Sequence, residues 1–198
     1  MLYNVIRFLA IIILKVFFCF QIKGAEHIPK KGAFILAANH RSYLDPIALG
    51  AASPRKLNFM AKHSLFCIPI FSWLIYAVGA FPIKRNSLDL KGLKEAMRRI
   101  KNGNALLLFP EGRRRFNNIS DAPQGGVGFL ATKLNVPVIP AFIMGTERVW
   151  PAGAKFIRFA KISVCFGKQI SIERRVPYQD IAQQIMENIR HLSCEGLN

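Results

Sequence analysis

The chain has 198 residues, room for one domain with a substantial core and not for two. Hydrophobic residues make up 52% of it and the mean hydropathy is +0.24, yet 28 Lys+Arg against 11 Asp+Glu leave a formal charge of +17. That combination points to an anionic membrane surface, an anionic substrate or both. Nucleic acid is set aside: there is no zinc-finger spacing, no aromatic RNA-binding signature and no Lys/Arg block longer than RRR at 113–115.

Residues 1–20, MLYNVIRFLAIIILKVFFCF, carry a basic residue near the start and an apolar run, but no small-residue cleavage site follows. Arg7 and Lys15 interrupt the ~20 apolar residues that a bilayer span requires. Asn4, Arg7, Ile11 and Lys15 recur at helical spacing, so the expectation is an amphipathic helix lying in a membrane interface, with the rest of the chain, 21–198, as the folded domain. Packing of that helix on the domain is the competing reading.

AFILAA (33–38) has strand character and runs into NHRSYLDP (39–46). Asp45-Pro46 reads as a helix N-cap with Pro at the first helical position, opening a helix through Ile47, Leu49 and Ala51. SLFCIPIFSWLIYAVGAF (64–81) has no charge, but Pro69 and Gly79 break it. It is expected to be a buried or membrane-facing helix feeding a strand that ends at Lys84-Arg85. Ser87 is the expected cap of the next helix, whose apolar face is Leu93, Ala96, Met97 and Ile100 and which Asn102-Gly103 ends.

ALLLF (105–109) is a continuous apolar strand followed by PEGRRR. A helix over 127–134, strands over 136–144 and 161–166, and a last helix carrying Ile181, Ile185, Ile189 and Leu192 complete the pattern. No repeat, low-complexity tract or linker interrupts it. Cys19, Cys67, Cys165 and Cys194 are isolated, so a zinc site is not expected. They read as buried, reduced thiols in a reducing, cytoplasmic setting.

Apolar strands separated by helices indicate an α/β fold with a largely parallel or mixed sheet flanked by helices. Ligands in such sheets sit beyond the carboxyl ends of the strands. The two most polar motifs, NHRSYLD and PEGRRR, both begin where an apolar strand ends.

His40 and Asp45 would lie about 140° apart on a continuous helix and would not meet. Pro46 disfavours helical geometry at Asp45, and a turn can bring carboxylate and imidazole together. A carboxylate on one ring nitrogen makes the other a general base for a hydroxyl; the alternative gives Asp45 a capping role and His40 a turn role. There is no GxSxG elbow, so the activated hydroxyl is expected to belong to a substrate. Lys84, Arg85, Arg113, Arg114 and Arg115 suit a phosphate; Glu111 can hold one arginine and Gly112 lets the backbone approach a ligand. A solvated or headgroup-contacting loop is the other reading of RRR.

These residues resemble the 1-acylglycerol-3-phosphate acyltransferases. NHRSYLD (39–45) is similar to their NHxxxxD motif, GAFPIKR (79–85) to a second block ending in a basic residue, FPEGRRR (109–115) to FPEGTRS, and VPVIPAF (136–142) to VPxxPV. The resemblance covers about residues 22–170, with order and spacing kept. It implies a glycerophosphate-acyltransferase-like fold and transfer of an acyl chain from a thioester to the sn-2 hydroxyl of a lysophospholipid. His40 would be the general base, Asp45 its partner, and Arg85 and Arg114 phosphate ligands beside Glu111 and Gly112. The donor would be acyl carrier protein or coenzyme A thioester as co-substrate, with no metal or bound cofactor, at the cytoplasmic face of the cell membrane. Arg113 stands where the third block has Thr, and Gln124-Gly125-Gly126 where Lys is frequent, which leaves the acceptor open among lysophospholipids. A non-catalytic anionic-lipid-binding protein and a thioester hydrolase are the rival functions.

Overall fold

The computed structural model describes residues 2–84, 89–112, 123–151, 154, 156–173 and 175–195. The elements, in chain order, are α1 (Leu2–Phe18), β1 (Gln21–Lys23), β2 (Phe34–Ala38), α2 (Asp45–Ala52), β3 (Leu57–Lys62), α3 (Pro69–Ala77) and β4 (Ala80–Ile83). They continue with α4 (Leu90–Lys101), β5 (Ala105–Leu108), α5 (Gly126–Leu134), β6 (Val138–Met144), α6 (Thr146–Val149), β7 (Ser163–Phe166) and α7 (Tyr178–Glu195).

Seven strands form one sheet in the order β1-β7-β6-β2-β5-β3-β4. Every pairing is parallel except β6 with β7, so the expected largely parallel or mixed sheet is a mixed one. β2 and β5 are buried at every position, as central strands covered on both faces must be. Their side chains alternate. Phe34, Leu36 and Ala38 pack with Leu14 of α1 and Leu49 of α2, whereas Ile35 and Ala37 pack with Ala96, Leu130 and Ile181 of α4, α5 and α7. Burying each of these larger side chains contributes roughly 1.5–3 kcal/mol.

Several local expectations change. The N-cap of α4 is Asp89, whose carboxylate accepts from Gly92 N at 3.0 Å and Lys84 N at 2.7 Å; Ser87 lies outside the described residues. Asp45 is the first residue of α2 and not its cap, because its carboxylate reaches back along the chain instead of forward. β1 and β3 have no counterpart in the sequence reading. In β3 the polar Asn58 interrupts the apolar run, and inside the fold it is satisfied by Ala105 O at 3.1 Å and by the Arg99 guanidinium. Cys19 and Cys67 are exposed, not buried, since Cys19 sits in the left-handed turn after α1 (φ 45°) and Cys67 in a 3₁₀ turn before α3.

The uncharged 64–81 stretch divides into that turn, α3 and β4. Within α3 only Ile75 is buried, against Ala61 and Ala80, and the remaining large apolar side chains face outward. Helix α1 docks on the domain through Leu14 and Phe18, and Tyr3 Oη donates to Gly50 O at 3.5 Å. Its opposite side, with Val5, Phe8, Leu9, Ile12 and Val16, is exposed, so α1 is apolar on two faces. Among the described residues no helix is long and apolar enough to cross a membrane.

Candidate active site

Strand β2 ends at Ala38, and the next two side chains are buried polar groups. Asn39 continues the strand pairing with its side chain: Nδ2 donates to Ile143 O and Oδ1 accepts from Ile143 N, both at 2.8 Å. This two-point bond ties the motif to β6 just as the backbone leaves the sheet. His40 follows, and its Nδ1 lies 2.8 Å from Asp45 Oδ2. The expected turn is present, but it lies at residues 42–44, before Asp45, which is helical despite the following proline; the turn closes on its carboxylate.

Asp45 is fully buried. Oδ2 also accepts from Arg41 N at 2.6 Å and Ser42 N at 2.8 Å, while Oδ1 accepts from Thr146 Oγ1 at 2.6 Å. Four donors converge on one carboxylate, which fixes its plane and, through it, the imidazole. Ser42 is not an available nucleophile: its hydroxyl donates to Trp150 O at 3.0 Å and accepts from Leu44 N at 3.2 Å.

Thr146 was missed by sequence reasoning. It lies 101 residues from Asp45, and the signal beside it is Gly145. That glycine has φ 91°, and a Cβ there would meet Lys161 O at 1.9 Å. The constrained turn ends β6 and starts α6, so that the Thr146 hydroxyl points back to Asp45.

The two polar motifs meet through Phe109. Its ring stacks on His40, with centroids 4.0 Å apart and planes 15° apart. The register of β2 on β5, Ala37 opposite Leu108, brings this about, since both chains leave the sheet side by side. Residues 109–112 then turn, with Gly112 N donating to Phe109 O at 2.9 Å and Gln124 N donating to Pro110 O at 2.8 Å. Gly112 adopts φ 69°, and a Cβ there would strike the Gln124 side chain at 2.4 Å. Glu111 lies half-buried in this turn. Arg113, Arg114 and Arg115 lie outside the described residues.

Lys84 is exposed and follows β4, three strand positions from β2, or roughly 14 Å at the usual strand spacing. It therefore shares the carboxyl edge with His40 without touching it. Arg85 lies outside the described residues. Among the described residues no group of three or more His, Cys, Asp or Glu side chains is arranged to hold a metal ion. An apolar cavity of about 90 Å³ lies between α1, α2 and β3, lined by Tyr3, Ile6, Pro46, Ile47 and Leu57; it begins one residue past Asp45.

The family model described as Acyltransferase matches residues 19–144, a span that includes all of the motif residues above. A chloroplastic 1-acyl-sn-glycerol-3-phosphate acyltransferase of Brassica napus is 27% identical over 92% of this chain and 52% of its own length. The 1-acyl-sn-glycerol-3-phosphate acyltransferase of Streptococcus pneumoniae is 31% identical over 87% of this chain and 64% of its own. The chain thus spans about half to two-thirds of the length of these relatives. The crystal structure of the 1-acyl-sn-glycerophosphate (LPA) acyltransferase PlsC of Thermotoga maritima superposes with a TM-score of 0.84 at 25% identity, covering 99% of this chain and 80% of that one.

Proposed function

The chain belongs to the acyltransferase family, and from that premise we propose that it transfers a fatty acyl group from a thioester to the sn-2 hydroxyl of 1-acyl-glycerol-3-phosphate, giving phosphatidic acid. The observation that carries this reading is the buried His40–Asp45 pair at 2.8 Å, stacked on the residue that opens the PEG turn. With Nδ1 bonded to the carboxylate, the lone pair of His40 Nε2 is the base. It takes the proton of the acceptor hydroxyl as that oxygen attacks the thioester carbonyl. The tetrahedral intermediate then collapses, the C–S bond breaks, and the imidazolium returns the proton to the leaving thiolate. Backbone or arginine donors stabilise the oxyanion.

Arg85 and Arg114 hold the acceptor phosphate, with Lys84, Arg113, Glu111 and Gly112 around them, and so position the hydroxyl. The apolar cavity beside Pro46 takes an acyl chain. The donor is carried by acyl carrier protein or by coenzyme A and serves as co-substrate, with no metal or resident cofactor in the chemistry. Arg113, charged where the family block has Thr, favours a second reading in which the acceptor is another anionic lysophospholipid.

The 1–20 segment holds the catalytic domain, 21–198, on the anionic cytoplasmic face of the cell membrane. In support, α1 presents a second apolar side that nothing in the described structure covers, on a chain of net charge +17.

The test is release of free thiol from acyl-carrier-protein and acyl-CoA donors, with and without 1-acyl-glycerol-3-phosphate. Acceptor-dependent release, with phosphatidic acid formed, is expected. Release that ignores the acceptor makes the protein a hydrolase, and no release with any lysophospholipid leaves a lipid-binding protein.

A further inference from the structure

Besides α1, exposed large apolar side chains cluster most densely in two segments, with single ones such as Leu90 and Tyr178 elsewhere. Around α3, Ile70 is 85% and Trp73 62% exposed, with Ile68 and Tyr76 beside them. In the turn after α6, Phe156 is 81% and Phe159 79% exposed. Clusters of this kind on a folded surface mark an interaction site, and Trp and Tyr among them suit a membrane interface.

Both segments join α1, at opposite ends. Lys56 Nζ donates to Ala77 O, the last residue of α3, at 3.1 Å and lies 5.2 Å from the centroid of the Tyr3 ring at the start of α1. The Phe159 ring stacks on Phe17 and Phe18 at the end of α1, with centroids 6.4 and 6.2 Å away. All three lie on one face of the sheet. The buried Ile75 of α3 packs beside Phe59, which shares its strand face with Leu57 in the α1–α2 core. Between them lies the mouth of the site, where Tyr43 and Ile47 are also exposed and the Tyr43 ring meets Trp150 at 5.6 Å.

Charge follows the same division. Residues 1–25, 46–88 and 148–172, which contain these three segments, hold none of the 11 Asp+Glu, yet include Lys62, Lys84, Arg158 and Lys161. The carboxylates Glu95, Asp180 and Glu187 sit on α4 and α7, behind the other face of the sheet.

We propose that α3 and the 156–159 turn enter an anionic bilayer together with the outer side of α1, so that lipid frames the entrance to the His40 loop. The inference rests on the membrane reading above and extends it from one helix to a three-part footprint. A bilayer accounts for both halves of the pattern: apolar side chains for its acyl region and a predominantly basic surround for its headgroups. A lysophospholipid could then reach His40 without leaving the membrane.

The chain contains two tryptophans, Trp73 and Trp150. In Trp150→Phe, Trp73 alone reports. With phosphatidylglycerol vesicles carrying brominated acyl chains, its emission should shift blue and be quenched at least twofold relative to unbrominated vesicles. Should that variant fold poorly, Trp73→Phe in the otherwise unchanged chain should lose most of the quenching. Ile70→Ser with Phe156→Ser, both at exposed sites, should reduce vesicle partitioning about tenfold. Protein that sediments with vesicles while Trp73 is unquenched overturns the footprint and leaves the membrane reading standing. Protein that never sediments overturns both. Dimers in lipid-free equilibrium sedimentation, with Trp73 emission shifting on dilution and no bromine quenching, assign the patch to a second copy and overturn it too.

Discussion

Thr146 Oγ1 donates to Asp45 Oδ1 at 2.6 Å, and both residues are fully buried. The other carboxylate oxygen serves His40 and the backbone of Arg41 and Ser42. The imidazole is therefore oriented by a carboxylate that β6, through its terminal turn, holds from behind. Thr146→Val keeps the shape and removes the donor. Leaving Oδ1 without that bond should cost about 1–3 kcal/mol of stability. It should also lower kcat roughly tenfold, equivalent to about 1.4 kcal/mol, with little change in acceptor KM. Thr146→Ser should restore most of the rate. Steady-state kinetics beside a thermal melt checks both effects, and a melt that shifts while kcat holds would make Thr146 structural only.

His40→Ala should lower acceptor-dependent thiol release by about 10²- to 10⁴-fold, the usual contribution of a positioned base. Asp45→Asn should cause a loss of similar order, because a neutral amide at this position no longer stabilises the imidazolium form of His40. Single-turnover kinetics on folded protein, verified by circular dichroism, separates loss of chemistry from loss of structure. A His40→Ala enzyme with unchanged rate would show that a different group is the base.

Arg85→Ala and Arg114→Ala should act mainly on the acceptor. Loss of one charged hydrogen bond to phosphate, about 1.5–3 kcal/mol, corresponds to a roughly ten- to hundredfold rise in acceptor KM. Donor KM should hardly move. Arg113→Thr, which introduces the residue of the family block, should instead alter preference among lysophospholipid headgroups. Competition between acceptors in one reaction measures it.

Glu95 on α4 is the clearest acid-sensitive group. Its side-chain hydrogen bonds to Arg98, and then to Arg99, hold its carboxyl down at about 2. A carboxylate lowered by folding contributes stability above its unfolded value near 4.5, and that contribution is lost as pH falls from about 5 toward 2. Because Arg98 is largely water-facing, the effect should stay within about 1 kcal/mol. Urea melts at pH 6 and pH 3 should show a larger acid loss for wild type than for Glu95→Gln. Equal losses would mean that the pair does not contribute.

Membrane attachment through α1 is best tested at its outer side. Leu14 and Phe18 of that helix are core residues, so deleting it would open the domain. Phe8→Ser with Val16→Ser alters only exposed positions and should weaken sedimentation with anionic vesicles several-fold at unchanged melting temperature. Unchanged sedimentation would remove α1 from the membrane contact.

Most helices and the central strands follow from period and punctuation in the sequence. The run AFILAA is a strand, Asn102-Gly103 ends a helix, and NHRSYLD and FPEG fall at adjacent strand ends. These features depend on neighbours two to four residues away, so a linear reading can reach them. β3 escaped that reading because Asn58 breaks its apolar run, and only its partners Ala105 and Arg99 make the strand tenable. The exposed side of α3 escaped it as well, since an uncharged helix carries no mark of which side meets the protein.

Chemistry divides along the same line. That His40 and Asp45 can meet across a turn is legible in NHRSYLDP, and the structure closes that turn at residues 42–44, just before the helix that begins at Asp45. The role of Asp45 as the focus of four donors, the bond of Asn39 to Ile143 and the stacking of His40 on Phe109 came from the folded sheet. The Asp45–Thr146, Asn39–Ile143 and His40–Phe109 contacts each join residues between 69 and 104 positions apart. No local pattern encodes such a pair: hydrogen bonds and ring contacts act over a few ångströms, and it is strand register that brings the groups within reach.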